Sequence, residues 1–153
     1  MIRLQEPPFD VGRELGSFGT GDIAVGAVAS FVGYVRGAGA GAPPLIALTL
    51  EHYPGMTERQ LASIEDEART RWPVMDLLVI HRHGRLLPGE PIVLVAVSSA
   101  HRQAAFEACQ FLMDWLKTKA PFWKLEETAA GAEWVAAKTS DDAAADRWKT
   151  APR

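Results

Sequence analysis

The sequence predicts an α+β fold: a single domain of mixed and antiparallel strands, with packed helices and a C-terminal β-hairpin. Three observations predict it. Apolar runs of strand length at 24–35, 45–52 and 91–99 are interspersed with two long stretches of helical periodicity, 54–72 and 100–119. Proline and glycine punctuate the joins between strands, in "RLLPGE" and near Gly131, as hairpin connections require. The 153 residues, 48% of them hydrophobic, suit one sizeable core better than two small ones.

Taken in order, "IRL" reads as a short edge strand and "PFDVGRELGSF" as a short helix. "AVGAVASFVGYV" is rich in valine, alanine and phenylalanine and reads as a buried strand, ending in Arg36 and a glycine-rich loop, "GAGAGAPP". "LIALTLEH" resumes as a strand whose alternation puts Ile46, Leu48 and Leu50 on one face. In the helix that follows, Thr57 is expected as the cap, Gln60 as its capping-box partner and Met56 with Leu61 as the staple. Leu61, Ile64, Ala68 and Trp72 form its apolar stripe, and Pro73 ends it. "MDLLVIHRHG" and "PIVLVAVSS" are two strands, the second apolar almost throughout and so expected to be central.

The long helix is expected to be capped by Ser99, to pack through Ala105, Ala108, Cys109, Leu112 and Leu116, and to stop at Pro121. "FWKLEETAAGAEWVAA" then reads as a hairpin. "SDDAAADRW" reads as a last short helix capped by Ser140, with Asp141 and Asp142 favourable in its first turn.

Composition narrows the function. A net charge of −3 argues against a nucleic-acid binder with a broad basic surface. No apolar run reaches the roughly 20 residues of a membrane span, and the start lacks the apolar core of a secretory signal. A single cysteine makes no internal disulfide, so the cytoplasm is the expected compartment.

Three basic places stand out: Arg36 at a strand end, His101-Arg102 at a helix start, and Lys117 to Lys124 around that helix's end. A helix N-terminus flanked by His101 and Arg102 can hold a phosphate or carboxylate; the plainer alternative is that both face solvent. Lys117 and Lys119 complement the dipole at the helix C-terminus, which leaves Lys124 unaccounted for. Strand alternation puts Phe122 and Lys124 on one face and Trp123 on the other. Lys124 is then either a pocket lysine whose partial burial suits it to acid, base or nucleophile chemistry, or a solvated one lying over aromatics. Arg102 and Lys117 are fifteen residues apart, which puts them on roughly the same side of the helix but about 22 Å apart along its axis. A small ligand touching both needs a second copy of the chain, as a two-fold dimer provides.

Other candidates are weaker. His81 and His83 form an H-x-H expected on one strand face, read as paired surface or core histidines rather than half of a zinc site, since no ligand set completes them. Cys109 sits on the apolar stripe and reads as a core residue. Glu51-His52 is a candidate acid–base pair. No phosphate-binding glycine motif and no H-E-x-x-H is present, so neither metal nor cofactor is expected.

Together, "FVGYVR", "LTLEHYPGMTE", "ARTRWP", "VIHRHGRLLPGE", "SSAHRQAAFEACQFLMDWLKTKAPFWK" and the final "RW" resemble the large, catalytic subunit of molybdopterin synthase, in order over about residues 25–148. The resemblance implies an α/β-hammerhead-like domain covering 1–153. It implies conversion of cyclic pyranopterin monophosphate (precursor Z) to the molybdopterin dithiolene. The sulfur would come from the C-terminal glycine thiocarboxylate of a small ubiquitin-like partner subunit. It also implies a homodimer of large subunits within a heterotetramer, and a site shared across that dimer.

Carried over by motif, Lys117 is the leading catalytic residue and Lys124 the second. Tyr34, Val35, Arg36, His101, Arg102, Leu125 and Glu126 join them as substrate-binding positions, with Phe31 and Met113 as pocket walls. Lys119 falls where the family often has arginine. The loop after Arg36 lacks the polar residues common in the family, and His83 stands where an aliphatic residue is usual. Without the resemblance, the same basic residues fit a non-enzymatic module that binds an anion or a partner's tail, or a lysine Schiff-base enzyme.

Overall fold

The computed structural model of the protein describes residues 1–37, 39–135 and 139–149. Among these the elements run β1 (Ile2–Gln5), α1 (Val11–Ser17), β2 (Ala27–Tyr34), β3 (Ala47–His52), α2 (Met56–Arg71), β4 (Asp76–Arg82), β5 (Gly84–Leu86), β6 (Pro91–Ser99), α3 (Arg102–Thr118), β7 (Phe122–Thr128), β8 (Gly131–Val135) and α4 (Thr139–Asp146). This is the α+β mixture the sequence predicts.

The strands make two sheets. One is mixed, in the order β1-β4-β6-β2, with β1 parallel to β4 and the other pairs antiparallel. The other, β5-β3-β7-β8, is antiparallel throughout. The chain passes from one to the other between β4 and β5, so the two sheets share a corner at His83-Gly84.

Alternation along β4 and β6 divides the side chains of the first sheet. Leu77, Val79, Val93, Val95 and Val97 face α2 and α3 and meet Leu61, Ile64, Ala68, Ala105, Ala108 and Leu112 in the main core. Leu78, Ile80, Leu94 and Ala96 face the other way, onto Phe9, Leu15 and Phe18 around α1. With both faces covered, β6 has to be apolar almost throughout, which is why its sequence shows no alternation. Phe111 is fully buried within a ring cluster with Trp72, Trp115 and Trp148. Trp148 donates from Nε1 to Asp114 at 2.7 Å, fixing the chain after α4 to α3. A small second core of Val35, Leu48, Leu50 and Leu86 lies against the other sheet.

Several local expectations are corrected. The run 24–35 is not a buried strand: β2 is the outer strand of its sheet, and Val28, Phe31 and Tyr34 on it are exposed. Ile46 precedes β3 and is exposed, whereas Ala47 is buried. Helix α2 starts earlier than a Thr57 cap allows. Gly55 is the N-cap with φ +83°, a value glycine tolerates best, and Glu58 rather than Gln60 reaches back to its N–H at 2.6 Å. Met56 is accordingly exposed rather than stapled to Leu61.

Ser99 ends β6 and spends its hydroxyl on the Pro73 carbonyl at 2.9 Å, so His101, not Ser99, is the N-cap of α3. "RLLPGE" contains the short strand β5. Helix α4 begins at Thr139, which puts Ser140 inside it; the side chain of Ser140 and the hairpin's Ala136-Ala137 lie outside the described residues. Among the described residues no helix is long and apolar enough to cross a membrane.

Candidate active site

The basic residues singled out by sequence sit at the two ends of α3 and the strands beside them. At its start, His101 and Arg102 are exposed, and the N-cap makes no side-chain hydrogen bond to the first turn. The unpaired N–H groups there and the two basic side chains share one end of the helix. The junction leading to it is tight. Gly26 donates to the Ser99 carbonyl at 3.1 Å, and a Cβ at Gly26 would run into the Ala100 carbonyl oxygen. Glycine is therefore what lets β2 start beside the turn that presents His101.

At the other end, Lys117 is exposed on the last turn of α3. Lys119 is the C-cap, its N–H bonded to the Trp115 carbonyl at 2.7 Å and its ammonium over the Trp115 ring at 5.4 Å. Lys119 is thus committed to ending the helix. After Pro121 the chain enters β7, which lies between β3 and β8; Lys124 pairs in register with Leu50 on one side and Val135 on the other. Phe122 and Lys124 are half-buried and Trp123 between them is exposed, as the alternation predicts.

His81 joins these pieces. It lies on β4, is 8% exposed, and stacks on Phe122 with ring centres 3.9 Å apart and planes 13° apart. Its Nδ1 donates to the Arg82 carbonyl at 2.8 Å, which leaves Nε2 without a proton in the neutral ring. Burial pushes its pKa down to about 4; the bond to Arg82 opposes this, and the charges of Lys117, Lys124 and His83 add to it. Lys117 from α3 and Lys124 from β7 therefore act on the same buried ring.

The expected face-sharing of His81 and His83 does not occur. His83 lies beyond the end of β4 and meets His52, ring centres 4.4 Å apart. Burial and the neighbouring His52 lower its pKa, against the pull of Glu6 and Glu58. His52 in turn faces Glu58 at 3.7 Å rather than pairing with Glu51. The sequence gives His81 no part near the lysines; the H-x-H pattern is its one signal.

The remaining predicted positions separate. Arg36, Phe31 and Tyr34 are exposed along the outer strand and its end. Val35 is buried in the small core, and its N–H and carbonyl are taken by Glu90 and Gly89. Met113 is buried in the main core beneath α3. Leu125 alternates to the face opposite Lys124, while Glu126 shares the face of Lys124 and is exposed. Two clefts, of about 470 Å3 beside α1 and about 410 Å3 lined by Glu51, His52, Tyr53, Pro54, Trp123 and Trp134, contain none of Arg36, His101, Arg102, Lys117 or Lys124. In a single chain Arg36, His101, Arg102 and Lys117 are exposed and Lys124 is half-buried.

Comparison with known proteins bears on what this surface is for. The family model described as "MoaE protein" matches residues 4–119. The chain is 55% identical, over 97% of its length and 98% of the relative's, to the molybdopterin synthase catalytic subunit of Pseudomonas aeruginosa. It is 57% identical, over 92% of its length and 93% of the relative's, to the protein of the same name from Escherichia coli. Among solved structures, a molybdopterin biosynthesis MoaE protein from Burkholderia ambifaria aligns with TM-score 0.82 and 47% identity over 99% of each chain. A complex of subunits 1 and 2 of molybdopterin-converting factor from Helicobacter pylori, 21% identical over 90% of each chain, shares the fold with TM-score 0.72. With a family-model match over most of its length and relatives this similar end to end, the chain belongs to the MoaE protein family.

Proposed function

We propose that this chain is the catalytic subunit of a molybdopterin synthase, transferring sulfur to cyclic pyranopterin monophosphate to build the dithiolene of the molybdenum cofactor. The observation that supports the chemistry is that Lys117, exposed on the last turn of α3, and Lys124, half-buried on β7, are both near enough for their charges to bear on the buried His81. Relatives named as catalytic subunits of this enzyme supply the reaction.

In this reading a small ubiquitin-like subunit brings its C-terminal glycine as a thiocarboxylate, and that tail lies near Lys117. The thiocarboxylate sulfur attacks a side-chain carbon of the pterin precursor, and the new C–S bond forms as that carbon's bond to oxygen breaks and the departing oxygen takes up a proton. Lys117 and Lys124 stabilise the negative charge that develops and move the accompanying protons. Water then cleaves the acyl–sulfur bond, leaving the sulfur on the pterin and the tail as a carboxylate. A second charged partner repeats the transfer. Arg36, His101 and Arg102 hold the phosphate and pterin.

The site works between two copies of the chain. Arg102 and Lys117 lie at opposite ends of a 17-residue helix, about 22 Å apart along its axis. The exposed Phe31 and Tyr34 on the outer strand β2, and the exposed Phe106 on α3, offer apolar surface for a second copy. A homodimer with a small subunit on each large one makes a heterotetramer, working in the cytoplasm.

The test is a product assay with purified chain, the pterin precursor and thiocarboxylated small subunit. Dithiolene formation supports the synthase. Tight binding of the partner without conversion supports a module that only holds an anionic tail.

A further inference from the structure

The cleft of about 410 Å3 on the second sheet has no part in the reaction set out above, and the register of the strands explains what lines it. Glu51 on β3 stands directly opposite Trp123 on β7, so their side chains share one face of the sheet. Leu125 alternates onto that face as well. Trp134 on β8 stands opposite Leu125, which sets the two indoles on a cross-strand diagonal. Tyr53, just past β3, closes one side, its ring 5.7 Å from that of Trp123 and tilted by 52°. Lys124 alternates to the opposite face.

Three large aromatic side chains stand in water here: Trp123, Trp134 and Tyr53 are 45%, 57% and 58% exposed. The face of an aromatic ring attracts a cation, and an indole does so best. Arg71, Lys119 and Arg147 lie over other rings, those of Phe111, Trp115 and Trp148. The cleft also holds a carboxylate. Glu127, further along the same face, is taken by Arg85 at 3.1 Å. Glu51 is exposed and, among the described residues, has neither a hydrogen-bond nor an ion-pair partner. A group that stacks flat on an indole and also gives two parallel N–H bonds to a carboxylate is a guanidinium; an ammonium lacks the planar fork. A guanidinium alone would leave much of three rings uncovered. A protein surface that carries an arginine covers them, and tryptophan, tyrosine and arginine are the residues that anchor such contacts.

We propose that this cleft is a docking site for an arginine side chain of a protein partner, its guanidinium against the indoles of Trp123 and Trp134 and paired with Glu51.

The test compares N-acetylarginine amide with N-acetylcitrulline amide, which has nearly the same shape and no charge. Binding is followed by NMR on the indole N–H signals, assigned with Trp123→Phe and Trp134→Phe. The arginine compound is expected to shift both signals saturably, with a dissociation constant on the order of a few millimolar. The citrulline compound is expected to bind at least about tenfold more weakly, and Glu51→Gln to weaken the arginine compound by about fivefold. A blocked tripeptide with leucine on each side of the arginine is expected to bind at least about threefold more tightly than the single residue, because its flanks cover the rings. Equal binding of the arginine and citrulline compounds, an unchanged affinity in Glu51→Gln, or no shift at all overturns the guanidinium site. A tripeptide that binds no more tightly than the single residue overturns the protein partner.

Discussion

His81 and Phe122 stack face to face at 3.9 Å, joining β4 of the first sheet to β7 of the second where the two sheets meet. This contact has a consequence for stability. The folded chain holds His81 at about 4, against an ordinary 6.5. Above pH 6.5 the ring is neutral whether folded or not, and the contact contributes fully. As pH falls from 6.5 to 4 the unfolded chain takes up a proton that the folded chain refuses, so stability falls by up to about 3 kcal/mol. Urea unfolding across this window is expected to show the loss, and His81→Phe is expected to flatten it.

Thr57 is fully buried in the first turn of α2, and its hydroxyl accepts from the Tyr53 N–H at 2.9 Å. It also lies 3.4 Å from the carbonyl of Pro121, the residue that leads into the Lys124 strand. Thr57→Val keeps the shape and leaves the Tyr53 N–H unpaired. It is expected to lower the unfolding free energy by about 1–3 kcal/mol, measured by urea titration at pH 7.

Cys109 is buried on the core stripe of α3, and burial pushes its thiol up to about 11. A thiolate-dependent reagent at pH 8 is expected to leave the native chain unlabelled and to react with one thiol per chain in denaturant.

If the site is shared across a dimer, Arg102→Ala and Lys117→Ala proteins are each inactive but complementary. Mixed under conditions that exchange subunits, they form heterodimers with one intact site in two. Activity is expected to return to about a quarter of wild type, since random exchange makes half the dimers mixed. No return of activity means that each chain carries a complete site.

Sequence pattern alone carries much of the fold and part of the site. The stop at Pro121 and the two-residue period of a strand place Phe122 and Lys124 on one face. Helical spacing places Ala105, Ala108 and Leu112 in the core. The features that pattern misses depend on neighbours that a linear sequence does not name. An apolar run reads alike on a central or an outer strand, so the position of β2 at the sheet edge is hidden in it. Thr57 and Ser99 have the chemistry of helix caps, yet the nearby Tyr53 N–H and the distant Pro73 carbonyl engage the two hydroxyls. His81 comes to the lysines only because the chain crosses between sheets after β4 and brings β7 back beneath it.

Lys117 is exposed, so its removal tests chemistry with little disturbance of the fold. The most direct measurement is single-turnover dithiolene formation by Lys117→Ala, with saturating thiocarboxylated small subunit and a thermal melt recorded alongside. The expected result is a loss of at least about a hundredfold in rate with an unchanged melting temperature. A rate near that of the wild-type chain would contradict the assignment of sulfur-transfer chemistry to this lysine.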